Sequence, residues 1–384
     1  MRKPSYSLRQ LVLYALKLGA TGFGGPVALV GCMFKDLVEK RKWISEADYK
    51  DGLALAQLAP GPLAAQLAIY LGYVDYHILG ATLVGLAFVL PSFLMVVCLG
   101  WLYKIYGGLH WMLAVFYGVG ASVIGIIALS SYKLTIKTIG RNRLLWAIYL
   151  VSAAFTAMTE SEQILLMLGA GILVWGIENP PFKFKPRVSG LMNVFVLPLA
   201  ATANEISNGT LWNIFTFFIK AGTFVFGSGL AIVPFLYGGV VKEYHWLNDR
   251  QFLDAVAVAM ITPGPVVITV GFIGFLVAGF PGACIAAIAT FLPCYLFTII
   301  PAPYFKKYGK RPGIASFVNG VTAGAVGAIT GAVIVLGRKS ITDIPTALLA
   351  IATGVILWKT KKVPEPLIIL AAAFIGLAIK FWRP

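Results

Sequence analysis

The sequence predicts an all-α, polytopic transmembrane helical bundle made of two inverted-topology repeats with discontinuous or re-entrant helices. Three observations predict it. Of 384 residues, 59% are hydrophobic and 12% charged, with a mean hydropathy of +0.85, a balance that cannot cover a water-soluble surface. Special residues recur in order about 200 positions apart. Helix-breaking triplets fall inside apolar stretches at matching places in the two copies. A crossing helix needs about 20 apolar residues for a hydrocarbon core roughly 30 Å thick, so the chain allows on the order of ten to thirteen membrane segments. No soluble domain of useful size remains.

The net charge of +16 could suggest nucleic acid, but the basic residues lie in loops between apolar spans rather than on one polar face with interleaved aromatics. Such loops report orientation and contact with anionic lipid. Cys32, Cys98, Cys284 and Cys294 are scattered in apolar stretches without metal-site or disulfide spacing. They read as small hydrophobes.

The first element, Met1 to Ala20, has a basic front, but its apolar part contains Lys17 and leads to no small-residue cleavage site. It reads as a retained helix. Sliding the chain along itself by 203 positions puts Lys17 on Lys220, Gly19 on Gly222, Phe23-Gly24 on Phe226-Gly227 and Trp43 on Trp246. The same shift puts Asp51 on Asp254 and Pro60-Gly61-Pro62 on Pro263-Gly264-Pro265. One deleted residue then changes the shift to 202, where Gly72 meets Gly274, Gly80 meets Gly282, Pro91 meets Pro293 and Gly118 meets Gly320. Ordered superposition of this kind is the signature of a duplicated unit.

Leu144 to Met158 and Ser161 to Trp175 read as a helical hairpin turned at Glu160 and Glu162. Asn179-Pro180-Pro181-Phe182-Lys183-Phe184-Lys185-Pro186-Arg187 cannot be helical and is the natural linker. The expected division is an N-terminal repeat over residues 1–178, a linker over 179–190 and a C-terminal repeat over 191–384. Pro345 to Trp358 and Pro364 to Phe381 resemble a second helix pair.

Lysine and arginine concentrate in cytoplasmic loops, which tests whether the copies are parallel or inverted. Arg2, Lys3 and Arg9 are placed inside. Each repeat is taken to open with two elements that return the chain to its starting side, followed by two full crossings such as Ile78 to Tyr103 and Trp111 to Tyr132. With one short span near Leu191 to Ala203, the second repeat begins outside. The clusters Lys133 to Arg143, Lys183 to Arg187, Lys306 to Arg311 and Lys359 to Lys362 then all fall inside. Charge bias favours the inverted arrangement.

Gly24-Gly25-Pro26, its counterpart Gly227-Ser228-Gly229 and the two Pro-Gly-Pro triplets interrupt helices in apolar surroundings. Lipid cannot satisfy freed amides and carbonyls, so such breaks persist only where protein, water or a bound solute serves them. The second proline of each triplet suits the first helical position. That leaves the amides of Leu63 and Ala64, and of Val266 and Val267, without partners and favourable to an anion. Ser45-Glu46-Ala47-Asp48 and Asn248-Asp249-Arg250-Gln251 are capping signatures for the helices running up to the triplets. At any single break the alternative is a proline kink packed among neighbours with no ligand. Four matching breaks favour the construction in which discontinuous helices point positive ends at an anionic solute.

Ser7 and Thr210 are candidate caps for the two first helices. Lys17 and Lys220 lie ten residues further on, about 15 Å along the axis and near mid-depth. A lysine there should face a polar cavity and offer an anion a point charge, unless it snorkels to the interface or pairs with a carbonyl. Thr21, Gln57 and Gln66 in the first half, with Thr223, Ser228, Thr262 and Thr269 in the second, are candidates to complete a cavity or to join helices. Gly61 and Gly264 sit at the triplet centres. Asp51 and Asp254 are candidate proton carriers, although they lie one turn into helices that start at an interface. His77, His110 and His245 fall near span ends, where a solvated histidine is ordinary.

Gly22-Phe23-Gly24-Gly25-Pro26, then Glu39-Lys40-Arg41-Lys42-Trp43-Ile44, then Gln57-Leu58-Ala59-Pro60-Gly61-Pro62 with Gln66-Leu67-Ala68, then Leu90-Pro91, resemble in combination and order the chromate ion transporter family in its two-domain long form. The second half resembles the same pattern in weaker form. The resemblance implies a bacterial or archaeal plasma-membrane protein that exports chromate, with halves of opposite orientation and sulfate as a close structural analogue. Family members often have a histidine three residues after the Gly-Gly-Pro proline. Here that position is Leu29, so no role for that histidine is carried over.

The expected activity is secondary transport, the repeats rocking about one dianion site near the midplane. A transporter of sulfate or another oxyanion, or a passive anion channel, is the second reading. An intramembrane enzyme would need a nucleophile with its base or a metal set. The sequence has no His-Glu-x-x-His, no Gly-x-Ser-x-Gly and no paired aspartates deep in spans. No catalytic residue, metal or cofactor is expected. The expected partners are a chromate- or sulfate-like oxyanion and the lipid bilayer, with a homodimer left open.

Overall fold

The structure is a computed structural model that describes residues 5–23, 25–106, 109–160, 164–179, 209–223, 225, 229, 232–308, 312–360, 363 and 365–382. Among these residues every regular element is helical. Four of the helices are long and apolar enough to cross a membrane: Leu63–Tyr106, Trp111–Ile136, Val266–Phe305 and Pro312–Ser340.

Helix α1 (Leu8–Thr21) starts at a capping box. Ser7 accepts from the Gln10 amide and the Gln10 side chain accepts from the Ser7 amide. Its 14 residues reach about 21 Å, short of a full crossing. After a break, α2 (Gly25–Met33) runs into a π-helical turn over Phe34–Lys40, and Lys42, at φ +53°, turns the chain into α3 (Glu46–Leu58). Ser45 caps α3 by accepting from the Asp48 amide, as its sequence signature predicts.

Helix α4 (Leu63–Tyr106) is not one rod. His77 has φ +48° and ψ −140°, and Gly72 and Gly80 meet backbone to backbone: a Cβ on Gly80 would lie 2.1 Å from the Gly72 carbonyl oxygen. Residues eight apart in a straight helix are about 12 Å apart, so the chain folds back at His77. The result is a short limb, residues 63–76, and a long limb, residues 78–106. Tyr6 marks where the short elements end. Its ring stacks on Trp43 at 5.0 Å, its hydroxyl donates to Asp75 at 2.6 Å and its carbonyl accepts from Tyr76. The start of α1, the start of α3 and the end of the short limb therefore share one face. Two hairpins, α1 with α2 and α3 with the short limb, leave that face and return to it.

The second repeat reproduces this with α8 (Thr210–Thr223), α9 (Ile232–Leu236), a π-helical turn over Tyr237–Glu243, α10 (Asp249–Ile261), a 3₁₀ turn over Val266–Ile268 and α11 (Thr269–Ile299). Irregular backbone recurs in register: His245 at φ +51° answers Lys42, and Gly279 at φ +65° answers His77. Thr210 is not the cap expected of it. It is the first helical residue, and the preceding Gly209 supplies the carbonyl that accepts from Trp212 and Asn213.

The copies run in opposite directions. The long limb of α4 lies antiparallel to the second part of α11, with Thr82 Oγ1 2.6 Å from Tyr295 Oη and the rings of Phe93 and Phe280 6.4 Å apart. Arg250, at the start of α10, donates to the Leu113 carbonyl near the start of α5 (His110–Ile139). That contact lies at the far end of the long limb from Tyr6 and Trp43. Helix α12 (Ala302–Tyr308) leads to α13 (Pro312–Ser340), which pairs antiparallel with α5, Ser131 Oγ standing 2.7 Å from Thr330 Oγ1.

The remaining helix pairs are exchanged between the halves. Helices α6 (Arg143–Thr159) and α7 (Ile164–Glu178) pack on α13, where a Cβ on Gly320 would lie 2.5 Å from the Ala170 carbonyl oxygen. Helices α14 (Ile344–Lys359) and α15 (Glu365–Trp382) pack on α5, where a Cβ on Gly118 would lie 2.0 Å from the Ala372 carbonyl oxygen. Small residues allow this backbone approach, which is how helices associate when lipid removes the hydrophobic drive. Glu178, at the end of α7, accepts from Asn142 at the start of α6, so this pair also returns to its starting face. The expected linker falls within residues 179–190, and all of it beyond Asn179, together with the expected span Leu191 to Ala203, lies outside the described residues.

Candidate anion site between the repeats

The two Pro-Gly-Pro turns meet at the centre of the molecule. The Gly61 amide donates to the Val225 carbonyl at 2.5 Å, and the Gly264 amide donates to the Gly22 carbonyl at 2.9 Å. Residues 61 and 264 share a repeat position, and so do 22 and 225, so this is one contact made twice about a pseudo-two-fold axis. Each turn closes on the break after the first helix of the other repeat. Both glycines need their conformational freedom, at φ +142° and +97°. At Gly264 space is also limiting: a Cβ there would lie 2.0 Å from Ser92 Oγ, which donates to the Gly19 carbonyl at 3.3 Å.

Pro62 and Pro265 stand at the cap rather than at the first helical position, one residue earlier than the sequence suggests. Their carbonyls already accept, from the Gln66 and Ile268 amides at 3.0 Å each, which is what a cap residue does. Among the described residues, the amides of Leu63, Ala64, Val266 and Val267 donate to no acceptor. Between the turns lies a cavity of 10 Å³ lined by Pro26, Leu29, Pro62, Ala64, Gly229, Gly264, Pro265 and Val266. That is room for about one water, so a tetrahedral oxyanion enters only if the repeats separate.

The other expected site residues divide into those beside this cavity and those turned elsewhere. Gly25 begins α2 next to Pro26. Gln66 is fully buried under the first turn; its Nε2 donates to the Pro60 carbonyl at 2.7 Å and its Oε1 has no partner among the described residues. Thr269 is buried and donates to the Val266 carbonyl at 2.7 Å, while Thr262, Thr223 and Thr21 donate to carbonyls of their own helices. Those hydroxyls are spent locally. Gln57, Lys17 and Lys220 are exposed and do not line the cavity. Lys17 stands five residues before Gly22, about 7.5 Å along the axis. Both lysines sit near the C-terminal ends of their half-helices, where a cation also offsets the negative end of the dipole. Gly24, Gly227 and Ser228 lie outside the described residues. Asp51 is half-buried; Asp254 is buried and accepts from the Tyr103 hydroxyl at 2.7 Å.

Sequence reasoning missed the acceptors of the crossing, the carbonyls of Gly22 and Val225, and the Ser92 contact. Gly22 and Val225 do align at the repeat spacing, but a backbone acceptor leaves no mark in residue type. Among the described residues no group of three His, Cys, Asp or Glu side chains could hold a metal ion.

The sequence model of the family described as Chromate transporter matches residues 9–175 and again 212–377, once per repeat. The chain belongs to the chromate transporter family. It is 68% identical to the chromate transport protein of Cupriavidus metallidurans, over 97% of this chain and 94% of that one. It is 64% identical to a probable chromate transport protein of Synechococcus elongatus, over 99% and 97%, and 30% identical to the chromate transport protein of Pseudomonas aeruginosa, over 97% and 92%. No solved structure matches it. A chromate transporter family member with several apolar helices and bacterial relatives of this kind is a multi-pass protein of the plasma membrane.

Proposed function

We propose that this chain is a secondary transporter that exports chromate, taking the dianion where the two Pro-Gly-Pro turns meet. The observation that carries this reading is the reciprocal crossing of Gly61 on Val225 and Gly264 on Gly22, which brings together from opposite directions two helix N-termini whose first amides have no acceptor among the described residues. The names of the similar proteins support chromate as the cargo. The lysine and arginine bias supports placing the Tyr6 face in the cytoplasm. On that placement the paired hairpins of each repeat are re-entrant, entering from opposite sides and stopping near mid-depth.

Lys17 and Lys220 supply charge near the paths by which the anion enters and leaves. Rocking of one repeat against the other widens the closed cavity toward one side at a time. An inside-negative potential assists export by about 4.6 kcal/mol per dianion per 100 mV, at about 2.3 per charge. Purified protein in liposomes tests the reading: saturable chromate efflux that accelerates with inside-negative potential supports it. Flux that never saturates indicates a channel, and sulfate carried in preference to chromate assigns a different cargo.

A further inference from the structure

The duplication is unequal at its two matched aspartates. Asp254 on α10 is 3% exposed and bonded to Tyr103. Asp51 on α3 is half-buried, and the repeat position of Tyr103 is taken by Phe305, which has no hydroxyl to offer. Asp254 also forms part of the wall of a cavity of 750 Å³ where α5, α10, α13 and α15 meet, on the face opposite Tyr6. The rim includes the half-buried Asp249 and the exposed Arg250 and Lys380. Asp254 lies five residues inward of Asp249, about 7.5 Å along the helix.

The cations nearby are engaged with other groups. Lys339 on α13 binds Asp249 at 2.8 Å and also contacts Tyr237 of the π-helical turn. Arg250 donates to the Leu113 carbonyl at 3.0 Å, and Lys380 on α15 lies 4.8 Å from the ring of Tyr117 on α5. Lys104, beside Tyr103 on α4, lies over the Phe275 ring, and Lys242 is paired with Glu160. Helix α11 brings no acidic or basic side chain to α10. Among the described residues no cation forms an ion pair with Asp254, although the charge of Arg250, one turn earlier on α10, acts on it, and its one hydrogen-bond donor is Tyr103.

We propose that Asp254 is the proton-binding residue of the transport cycle, loaded from the outer solution through this cavity, so that chromate export exchanges for proton entry. The proposal rests on the export reading above. A carboxylate oxygen of Asp254 takes a proton from outer water, and the same O–H bond breaks toward cytoplasmic water after the repeats rock. The outer cavity is open here while the anion cavity has room for only one water, so the proton binds in the state that has released its cargo. Helix α10 links the two events. It runs from Asp254 to Ile261, seven residues or about 10 Å further on, and leads directly into the turn whose Gly264 amide makes the crossing to Gly22.

The test uses the full chain in oriented liposomes loaded with chromate and a pH-sensitive dye, the potential clamped. Chromate efflux should acidify the lumen. Asp254→Asn should abolish acidification, remove the dependence of efflux on outer pH and slow efflux at least tenfold. Tyr103→Phe should keep coupling but move the midpoint of the outer-pH profile. Efflux by the native protein with no change in lumen pH overturns the proposal while leaving chromate export standing; absence of chromate efflux overturns the export reading instead. Should Asp254→Asn not fold, Tyr103→Phe decides, and an unmoved midpoint refutes the assignment.

Discussion

Gly264→Ala is the perturbation that most directly tests the crossing of the repeats. The glycine stands at φ +97°, a region that costs an L-residue of order 1–3 kcal/mol. The new methyl would also meet Ser92 Oγ at 2.0 Å, which must rotate away and give up its hydrogen bond to Gly19, a further loss of about 1 kcal/mol. The two together make about 2–4 kcal/mol against the state in which Gly264 reaches Gly22. At about 1.4 kcal/mol per decade that state falls roughly 30- to 700-fold. Initial rates of chromate uptake into inside-out vesicles, normalised to folded protein, should fall accordingly.

The same geometry predicts partial rescue. Ser92→Ala removes the oxygen at 2.0 Å and leaves Cβ at 3.1 Å, so Gly264→Ala with Ser92→Ala should recover the steric share but not the backbone share. Gly61→Ala should be milder, because its methyl meets the movable amide end of Gln66 at 2.6 Å. A native rate in Gly264→Ala, or a double variant no faster than the single one, would falsify the claim that this crossing is part of the working site.

Three further outcomes follow from other parts of the molecule. His77→Gly should stabilise the protein by about 1 kcal/mol in thermal unfolding, because His77 holds φ +48° where the second repeat already has Gly279; Gly279→His should do the opposite. Lys17→Ala with Lys220→Ala should slow chromate flux by roughly 10- to 150-fold if the two lysines together provide one charged contact of about 1.5–3 kcal/mol to the anion at a time, whereas Lys17→Arg should retain most of it. Glu160, in the turn after α6, is held below the ordinary carboxylate range chiefly by the hydrogen bond from Lys242. A depressed carboxyl adds stability above its unfolded pKa and loses it as pH falls through the folded one, so Glu160→Gln should cost under about 1 kcal/mol at pH 7 and nothing in acid.

The membrane class, the duplication and the opposed directions of the copies were legible because each leaves a mark in residue type or loop charge. The reversal at His77 was legible only in part: the predicted crossing from Ile78 begins one residue after it, whereas Gly72 and Gly80 marked the repeat, recurring at Gly274 and Gly282, without announcing the close approach they make. The cap positions slipped by one at the prolines because proline, although favoured at the first helical position, also fits just before the helix, where no N–H of its own is required. The exposure of Lys17 and Lys220 could not be read from depth alone, since depth along a helix does not give the face it presents. Carbonyl partners such as Gly22 and Val225 belong to the backbone and differ in type between the copies, so residue comparison cannot find them.

Exchange between the halves explains why one repeat would not make this site. The α6–α7 pair clasps α13, the α14–α15 pair clasps α5, and each central turn closes on a carbonyl of the other copy. Removing one copy would leave Gly61 or Gly264 without its acceptor and the clasped helix without its cover, and lipid supplies neither a hydrogen bond nor a close backbone contact. The inverted pairing also makes the two sides of the crossing near-equivalent, so differences between the copies are what distinguish one side from the other. Tyr103 against Phe305 is such a difference: Tyr103 donates from α4 to Asp254 on α10, the helix that leads to the crossing.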